Sequence, residues 1–488
     1  MMNATQERIF RAVSATLLVL FVFASTVVAE PDTIPDGYSV ETIEVPDHIT
    51  LEVGGLEFAQ DGVLYITTRY GEVWMYDDGN WKKFADGLQH ALGIELKDGG
   101  RRAYVAQKPE LTELVDTDGD RVAEVYRTVT DAWGYSGNYH EFAFGPVRDR
   151  EGNFYVTLNL SHSDVGDVRG SVMSREIRDR GTLVQIAPDG TMRTYAYGLR
   201  SPAGLSISPE GELFVAGNQG DWMPTSPLLH VEKGKFYGHP ASLADHPKFK
   251  GRNLDKVPVK EFKKLRERPV LWFPYDLANS PGTPVYDTKK QDFGPFDGQM
   301  FVGDQTKSNI MRVAVEKVKG QYQGVVFNFI DHLQCGIVRA TFGPDNESLW
   351  VGQTNRGWGS SGSAPYGLQR IAYDGETVPY SIRTIKLSKQ GFVARFTHPV
   401  DRKAAANPDN YDVTHWRYKY HSNYGSAPTD KTDVKVQSVD VSSDGQRIRL
   451  NLPELVTGRV YKIQLDIPSA DGTKLTNNTG WYTVNKKK

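Results

Sequence analysis

Residues 55–79 read GLEFAQDGVLYITTRYGEVWMYDDG, and the fold can be predicted from the pattern of this stretch. Apolar residues alternate with polar ones up to an Asp-Gly turn, a second strand LYI follows, and a loop leads into a further apolar segment. Alternation at period two indicates strands with one packed face, and turn glycines adopt positive φ at little cost. The stretch therefore predicts short strands folded back and forth into one small sheet.

The same order of strand, turn, strand and loop recurs along the chain. Further copies begin near residues 92, 140, 198, 294 and 337, and most second strands read like the first: FYV, LFV, MFV and LWV. Six such units between about residues 35 and 380 predict a six-bladed β-propeller. The early strand GYSVETIEV (37–45) is predicted to pair with the last blade and close the ring, which removes exposed sheet edges.

The pattern changes after Pro379. YSIRTIKLSKQGFVARFTHPVD, NYDVTHWRYKYHS, VKVQSVDVSSDGQRIRLNL and GRVYKIQLDI are separated by turn signals. They predict a small β-sandwich, most like an immunoglobulin or fibronectin type III module. The predicted fold is thus all-β, with a propeller over residues 30–380 and a sandwich over 381–488.

The first 29 residues are predicted to be a secretory signal peptide. Arg8 and Arg11 precede an apolar run, and small residues stand before the expected cleavage point. The rival interpretation is an uncleaved anchor, but the apolar core 18–23 is short for a membrane span. We therefore expect a periplasmic or secreted protein that does not span the membrane once processed.

Charge and cysteine content limit the possible functions. The 488 residues carry a net charge of −3, which gives no reason to expect nucleic acid as a partner. Cys335 is the single cysteine, so the chain forms no internal disulfide, and no C-x-x-C-H motif for a c-type haem is present.

Three basic residues stand at equivalent points of different repeats. His140 and Arg200 directly precede first strands, and Arg339 lies near the corresponding point of the sixth repeat. A histidine there can act as general base, and a guanidinium can bind a carboxylate or a quinone oxygen. The alternatives are a histidine that bonds a neighbouring loop and arginines that bridge to loop acids.

Two loops are candidate cation sites. NQGDWMPTS offers backbone carbonyls, Gly220 among them, with Asn218 and Asp221 as oxygen ligands, and the alternative interpretation, an ordinary polar turn, is slightly favoured. DTDGDRVAE resembles the D-x-D-G-D calcium loops of extracellular proteins. Its acidic residues are Asp116, Asp118, Asp120 and Glu124.

Four segments together resemble a known family. GNYHEFAFGP, GLRSPAGLSISPEGELFVAGNQG, KGKFYGHP and IVRATFGPDNESLWVGQTN, in that order, are similar to segments of the PQQ-dependent soluble glucose and aldose (sorbosone-type) dehydrogenases. These are secreted six-bladed propellers. The resemblance covers roughly residues 50–360, and it is closest to a secreted bacterial subgroup in which a sandwich follows the propeller.

The resemblance implies roles for particular residues. His140 would be the general base, Arg200 and Arg339 would grip PQQ with Lys307 nearby, and the Gly220–Asp221 loop would hold the calcium ion that polarises the cofactor. The chain departs from the family pattern in several places. Ser201 and Ile337 replace an asparagine and an arginine, Lys307 is one position out of register, and TLNLSHS lacks the usual acidic residue.

The leading hypothesis is therefore an exported sugar or alcohol dehydrogenase that uses PQQ and calcium. Its substrate would be a sugar or a polysaccharide-derived compound, and its electrons would pass to an external acceptor such as a cytochrome c or a quinone. Two alternatives stay open: a non-catalytic propeller that binds carbohydrate or protein, and a cofactor-free hydrolase or lyase that acts on polysaccharide.

Overall fold

Six sheets surround a central channel in the computed structural model, which describes residues 34–288 and 292–488. The first strands of the six sheets contact one another in cyclic order and form the channel wall. The six-bladed propeller predicted from the repeats is confirmed. The predicted signal peptide lies outside the described residues.

One strand precedes the first blade, β1 (Tyr38–Thr42). Blade one contains β2 (Val53–Phe58), β3 (Leu64–Thr68), β4 (Val73–Asp77) and β5 (Asn80–Ala85). Blade two contains β6 (Ile94–Lys97), β7 (Arg102–Ala106), β8 (Leu111–Val115) and β9 (Val125–Thr130). Blade three begins with β10 (Ala143–Arg148) and β11 (Phe154–Leu158), inserts the hairpin β12 (Ser161–Asp167) and β13 (Ser171–Ser174), and ends with β14 (Thr182–Ile186) and β15 (Met192–Tyr197).

The second half of the ring repeats this plan, with short strands in blade four and longer ones in blades five and six. Blade four contains β16 (Gly204–Ile207), β17 (Leu213–Ala216), β18 (Pro227–Val231) and, after helix α1 (Val259–Leu265), β19 (Leu271–Trp272). Blade five contains β20 (Pro281–Tyr286), β21 (Met300–Asp304), β22 (Asn309–Val318) and β23 (Gln321–Ile330). Blade six contains β24 (Ile337–Phe342), β25 (Ser348–Thr354) and β26 (Tyr366–Tyr373).

The fourth strand of blade six comes from the start of the chain. β1 pairs antiparallel with β26, from Tyr38 opposite Tyr373 to Thr42 opposite Gln369. This pairing confirms the predicted ring closure. Apolar clusters fill the spaces between neighbouring blades, including one that joins blades one and six, so the ring is packed around its whole circumference.

The predicted boundary at residue 380 separates β26 from a further set of strands. These are β27 (Ile382–Ser388), β28 (Gly391–Phe396), helix α2 (Arg402–Ala406), β29 (Tyr411–Arg417), β30 (Thr429–Asp433), β31 (Ser438–Val441), β32 (Arg447–Asn451), β33 (Arg459–Leu465) and β34 (Thr479–Val484). One sheet has the order β27-β28-β32-β31, and its apolar side chains share a core with β29, β33 and β34. The immunoglobulin- or fibronectin-like character of this C-terminal module stays a prediction.

The C-terminal module is joined to the propeller by backbone hydrogen bonds. β34 pairs with β23, the outer strand of blade five, from Gly324 opposite Thr483 to Phe327 opposite Gly480. The result is one eight-stranded sheet, β20-β21-β22-β23-β34-β33-β29-β30, that belongs to both parts. Residues 34–488 therefore form one compact unit.

Helices are short throughout the described residues. The 3₁₀ turns are Asp98–Gly100, Val168–Gly170, Pro240–Ala244, Leu254–Lys256 and Pro408–Asn410. Among residues 34–288 and 292–488, no helix has the length and apolar character that crossing a membrane requires.

Candidate functional site

A cavity of about 470 Å³ opens at one end of the propeller channel, within the size range of small-molecule sites. We call it the central cavity. Its lining comes from loops that precede first strands or follow second strands, the points at which the repeats predicted functional residues. These lining residues include His140, Arg200, Ser201, Asn218, Gln219, Asn279, Ser280, Gln305, Thr306 and Arg356.

His140 lines the central cavity and is held in one tautomer. Its Nδ1 lies 2.9 Å from the Leu160 carbonyl oxygen, which only accepts hydrogen bonds, so Nδ1 carries the proton and Nε2 keeps a lone pair. Loss of surrounding water lowers the pKa of His140 to about 3; the Leu160 bond opposes this, and the positive charges of Arg200 and Arg356 add to it. His140 is therefore a neutral base at physiological pH.

The loop that carries His140 is fixed from below by Arg180. This fully buried guanidinium donates to the carbonyl oxygens of Gly134, Glu141 and Phe142 at 2.8–3.2 Å. No sequence motif marks Arg180, because a buried arginine that binds backbone carbonyls looks like any other strand-end arginine. It limits the movement of the base without touching the cavity.

Arg200 is oriented by a buried carboxylate. Its Nε donates to Asp221 Oδ1 at 2.6 Å, while Asp221 Oδ2 accepts from His239 Nε2 at 2.9 Å and from the Met173 amide at 3.1 Å. No hydrogen bond joins the terminal nitrogens of Arg200 to another described residue, and Arg200 lines the central cavity. The loop-acid bridge that the sequence left open is present, and it leaves the fork of the guanidinium available to a ligand.

The same contacts give Asp221 a role other than the predicted metal ligand. Both carboxylate oxygens are occupied by donors, two of them from basic side chains. Burial alone would raise the pKa of Asp221, but the His239 hydrogen bond and the Arg200 charge outweigh it and hold this pKa well below its usual range. A cation here would have to displace Arg200 or His239, so the donor set does not fit calcium.

Gly220 makes room for this ion pair. A Cβ atom at Gly220 would lie 2.1 Å from the guanidinium carbon of Arg200. Any side chain would therefore push Arg200 away from Asp221. The close approach of the Arg200 side chain explains why a glycine stands at this position of the NQGDW loop. The metal-binding role predicted for the Gly220 backbone stays a prediction.

The pH dependence of stability should report the Asp221 ion pair. We expect Asp221→Asn to lower the free energy of unfolding at pH 7 by about 3 kcal/mol, because it leaves buried cationic groups uncompensated. The folded-state pKa of Asp221 is depressed, so its contribution is complete above the unfolded value of about 4 and is lost as pH falls through the folded one. Urea unfolding at pH 7, 5 and 3.5 should show the full difference between the two proteins at pH 7 and 5 and only a first narrowing at pH 3.5, just below the unfolded pKa. The exposed Asp412→Asn is the matched control, and an equal loss in both variants would contradict the assignment.

The C-terminal module supplies part of the central cavity. The backbones of the 220–224 loop and residues 421–426 pair, with Trp222 N donating to His421 O and Gly425 N to Gly220 O. Tyr424 lines the cavity, and its ring centroid lies 5.3 Å from the Arg200 guanidinium.

Arg339 lies in the channel, and its hydrogen bonds to described residues all go to backbone carbonyl oxygens. Its nitrogens donate to the carbonyl oxygens of Gly54, Leu92, Ala203 and Val338 at 2.7–2.9 Å. Those carbonyls belong to blades one, two, four and six or their entry loops. The residue predicted to clamp a cofactor therefore ties four blades together, which gives it a structural role.

Two further basic residues lie near the central cavity, and one of them, Arg356, contributes to its lining. The predicted Lys307 does not line it, although Gln305 and Thr306 do; its ammonium lies 5.4 Å from the ring centroid of Tyr275, a lining residue. Arg356 does line it and was missed from the sequence. Arg356 stands in the loop after the LWV strand of the sixth repeat, and no spacing rule separates this arginine from a solvent-exposed one.

The acidic loop in blade two lies away from this lining. Its four carboxylates, predicted as a calcium site, have one oxygen each within 4.8 Å of one another. They also accept local hydrogen bonds, such as Gly119 N to Asp116 and Thr117 N to Glu124. The loop connects β8 to β9, so any ion there would stabilise the outside of blade two.

The fold is shared with solved sugar dehydrogenases. A Thermus thermophilus protein described as a putative oxidoreductase (glucose dehydrogenase) matches with a TM-score of 0.51 and 19% identity over 69% of this chain and 100% of its own. The PQQ-bound aldose sugar dehydrogenase of Streptomyces coelicolor matches at 0.50 and 16%, over 69% and 99%. The PQQ domain of Coprinopsis cinerea pyranose dehydrogenase in its holo form matches at 0.50 and 13%, over 70% and 98%. The chain thus shares the propeller fold of these structures.

Sequence comparison identifies the family itself. Residues 52–351 match the family model described as a domain of unknown function (DUF7133), and the chain belongs to that family. No curated protein matches the chain by sequence.

Proposed function

We propose that this protein is an exported oxidoreductase that uses PQQ to oxidise a sugar hydroxyl and passes the electrons to an external acceptor. The observation that carries the proposal is the central cavity itself. It combines His140, a neutral base with a free Nε2, and Arg200, a guanidinium with free terminal nitrogens among the described residues, on one small surface. A base for the hydroxyl proton and a cation for an acidic cofactor are the two groups that this chemistry requires.

The residues present fit such a cofactor and its substrate. PQQ carries three carboxylates, and Arg200 would bind one of them. Asn218 and Asn279 line the central cavity, and their amide oxygens are buried without a hydrogen-bond partner among the described residues. Unpaired buried acceptors are costly, and sugar hydroxyls would satisfy them. Ser201 and Ile337 replace an asparagine and an arginine of the family pattern. The central cavity has other polar groups, such as Asn218 and Asn279, that could bind a ligand in their place.

The protein contributes positioning and proton transfer. When bound, PQQ would supply a two-electron acceptor for hydride. His140 Nε2 would accept the proton of the sugar hydroxyl, and the Leu160 carbonyl would stabilise the imidazolium that forms. Because nearby positive charges add to burial in lowering the pKa of His140, an acidic ligand beside Arg200 would raise this pKa and strengthen the base.

Calcium has a separate place in the proposal. Since Asp221 is occupied by basic partners, we assign calcium to the acidic loop formed by Asp116, Asp118, Asp120 and Glu124. Its effect there would be on stability, and turnover would not need it.

Reconstitution tests the proposed function. We expect the purified protein to bind PQQ, seen by calorimetry and by an absorbance change, and then to reduce a dye with at least one member of an aldose panel. Calcium should raise the thermal midpoint without being needed for turnover. Absence of PQQ binding, together with no dye reduction across the panel, would refute the proposal.

A second candidate function is carbohydrate binding without turnover. A cleft of about 670 Å³ lies between propeller loops and one face of the C-terminal sheet, and its lining includes Tyr275, Trp416, Tyr418, Tyr424 and Trp481. Aromatic rings are good platforms for sugar rings. Oligosaccharide binding that survives His140→Ala, with no dye reduction, would favour this alternative. Polysaccharide cleavage without cofactor would instead favour a hydrolase or lyase.

A further inference from the structure

A second, smaller cavity adjoins the central cavity and is strongly basic. Its volume is about 270 Å³, and we call it the side cavity. Tyr139, Phe142, Arg356 and Trp358 line both cavities, so the two share this wall. The residues that line only the side cavity are Arg69, His90, Lys108 and Gly357.

Its four basic side chains come from loops of blades one, two and six. Arg69 follows β3, His90 lies between β5 and β6, Lys108 follows β7, and Arg356 follows β25. These are sequence positions equivalent to those that build the central cavity. The clustering is therefore built by the propeller repeat and places several cations at one point of the mouth.

Among the described residues, only one of these cations has an acidic partner. Arg69 forms a two-point ion pair with Glu52, with N–O distances of 2.6 and 3.0 Å. Lys108 donates to the Tyr139 carbonyl oxygen, at 2.7 Å. In the part of the chain that the structure describes, no carboxylate lies within ion-pair distance of Lys108 or Arg356.

Lys108 and Arg356 both pack against one aromatic ring. The Lys108 ammonium lies 4.9 Å and the Arg356 guanidinium 4.7 Å from the centroid of Phe142. Lys108 is buried, with 4% of its surface exposed. Two cations thus face a partly desolvated cavity beside one shared ring and without a paired carboxylate, an arrangement that attracts an anion.

The pKa values of the cluster agree with a net positive field that Glu52 and Glu141 offset only in part. Burial, followed by repulsion from Lys108, Arg69 and Arg356, lowers the pKa of His90 to about 4. Burial and repulsion by Arg180, partly offset by Glu141, lower the pKa of Lys108 to about 8. His90 Nδ1 is buried without a hydrogen-bond partner in the described part of the chain. An anion in the side cavity would relieve this repulsion.

We propose that the side cavity binds the acidic group, a carboxylate or a sulfate ester, of a sugar whose neutral part lies in the central cavity. The oxidation of this sugar rests on the proposed function, whereas its binding does not depend on that function. Tyr139 and Trp358, which are 50% and 64% exposed, have ring centroids 6.3 Å apart on the shared wall. A sugar ring against them would span the two cavities. The preferred substrate class is therefore an anionic sugar.

Calorimetry on the protein without added cofactor tests this assignment. The probes are glucose, glucuronate and glucose 6-sulfate, which share a ring and differ in the acidic group. We expect glucuronate or the sulfate ester to bind about 10- to 100-fold more tightly than glucose, because a charge-assisted hydrogen bond contributes about this much. The affinity for the acidic sugar should fall as salt is added. The tighter of the two acids identifies the acidic group. Equal affinities for all three sugars would overturn the proposal.

Two variants locate the binding. Lys108→Met should reduce affinity for the acidic sugar about 10-fold or more and leave glucose unchanged, whereas Lys233→Met, at an exposed lysine, should change neither. Because the Lys108 bond to Tyr139 supports the loop of His140, Arg356→Gln provides a second variant that keeps this bond. Unchanged acidic-sugar affinity in both variants would refute the proposal, as would a loss confined to PQQ affinity. Sugar binding without turnover would instead refute the dehydrogenase and leave the anion site standing.

Discussion

Replacing His140 by glutamine is expected to lower kcat for dye-coupled sugar oxidation by about 10³-fold, within the range that general bases contribute. The reason is that Nε2 of His140 is the base that the tautomer leaves free in the central cavity. Glutamine keeps hydrogen-bonding capacity but cannot accept the proton at neutral pH. Sugar and PQQ affinities, measured by calorimetry, should change little.

His162→Gln is the matched control for this prediction. His162 lines the same cavity, and its ring lies 5.8 Å from the ring of Tyr139, but among the described residues no backbone carbonyl fixes its tautomer as Leu160 does in His140. We expect His162→Gln to retain most of kcat. Equal losses in the two variants, or full activity of His140→Gln, would show that His140 is not the base.

Arg339→Leu should destabilise the propeller by about 4 kcal/mol or more, because four carbonyl oxygens in the channel would lose their donors at once. Arg339→Lys should recover only part of the loss, since one ammonium cannot reach the same spread of acceptors as a planar guanidinium. Thermal and urea unfolding measure both effects.

The control for Arg339 is Arg447→Leu, which changes an exposed arginine of β32. That variant should stay within about 0.5 kcal/mol of the parent protein. If Arg339→Leu were equally mild while PQQ binding was lost, the cofactor clamp implied by the family resemblance would be restored. A large loss of stability with PQQ affinity retained in the folded fraction would establish the structural role.

The propeller could be predicted because its information is local and repeated. Each blade encodes its own strands and turns, and the ring closure by β1 follows from counting them. The junction between β23 and β34 could not be predicted in this way. Strand pairing between such distant parts of the chain depends on which sheet edge is exposed after the ring has formed. The alternation of residues in β34 does not indicate that its partner is β23.

The candidate site could likewise be predicted from the sequence only in part. His140 and Arg200 were found because they occupy equivalent positions in neighbouring repeats, and both line the central cavity. The sequence cannot tell that Asp221 binds Arg200 while Arg339 binds carbonyl oxygens, since both outcomes depend on side-chain directions set by tertiary packing. Arg356 and Lys108 are single basic residues in loops, and only the assembled propeller brings them to one aromatic ring.

The sheet shared by the propeller and the C-terminal module affects how a truncated chain would behave. The outer edge of blade five is paired by residues 480–483, so a fragment that ends before β34 would display that edge to solvent. An open edge rich in Val and Phe recruits other chains. Proteolytic removal of β34 should therefore promote self-association rather than release an independent, monomeric propeller.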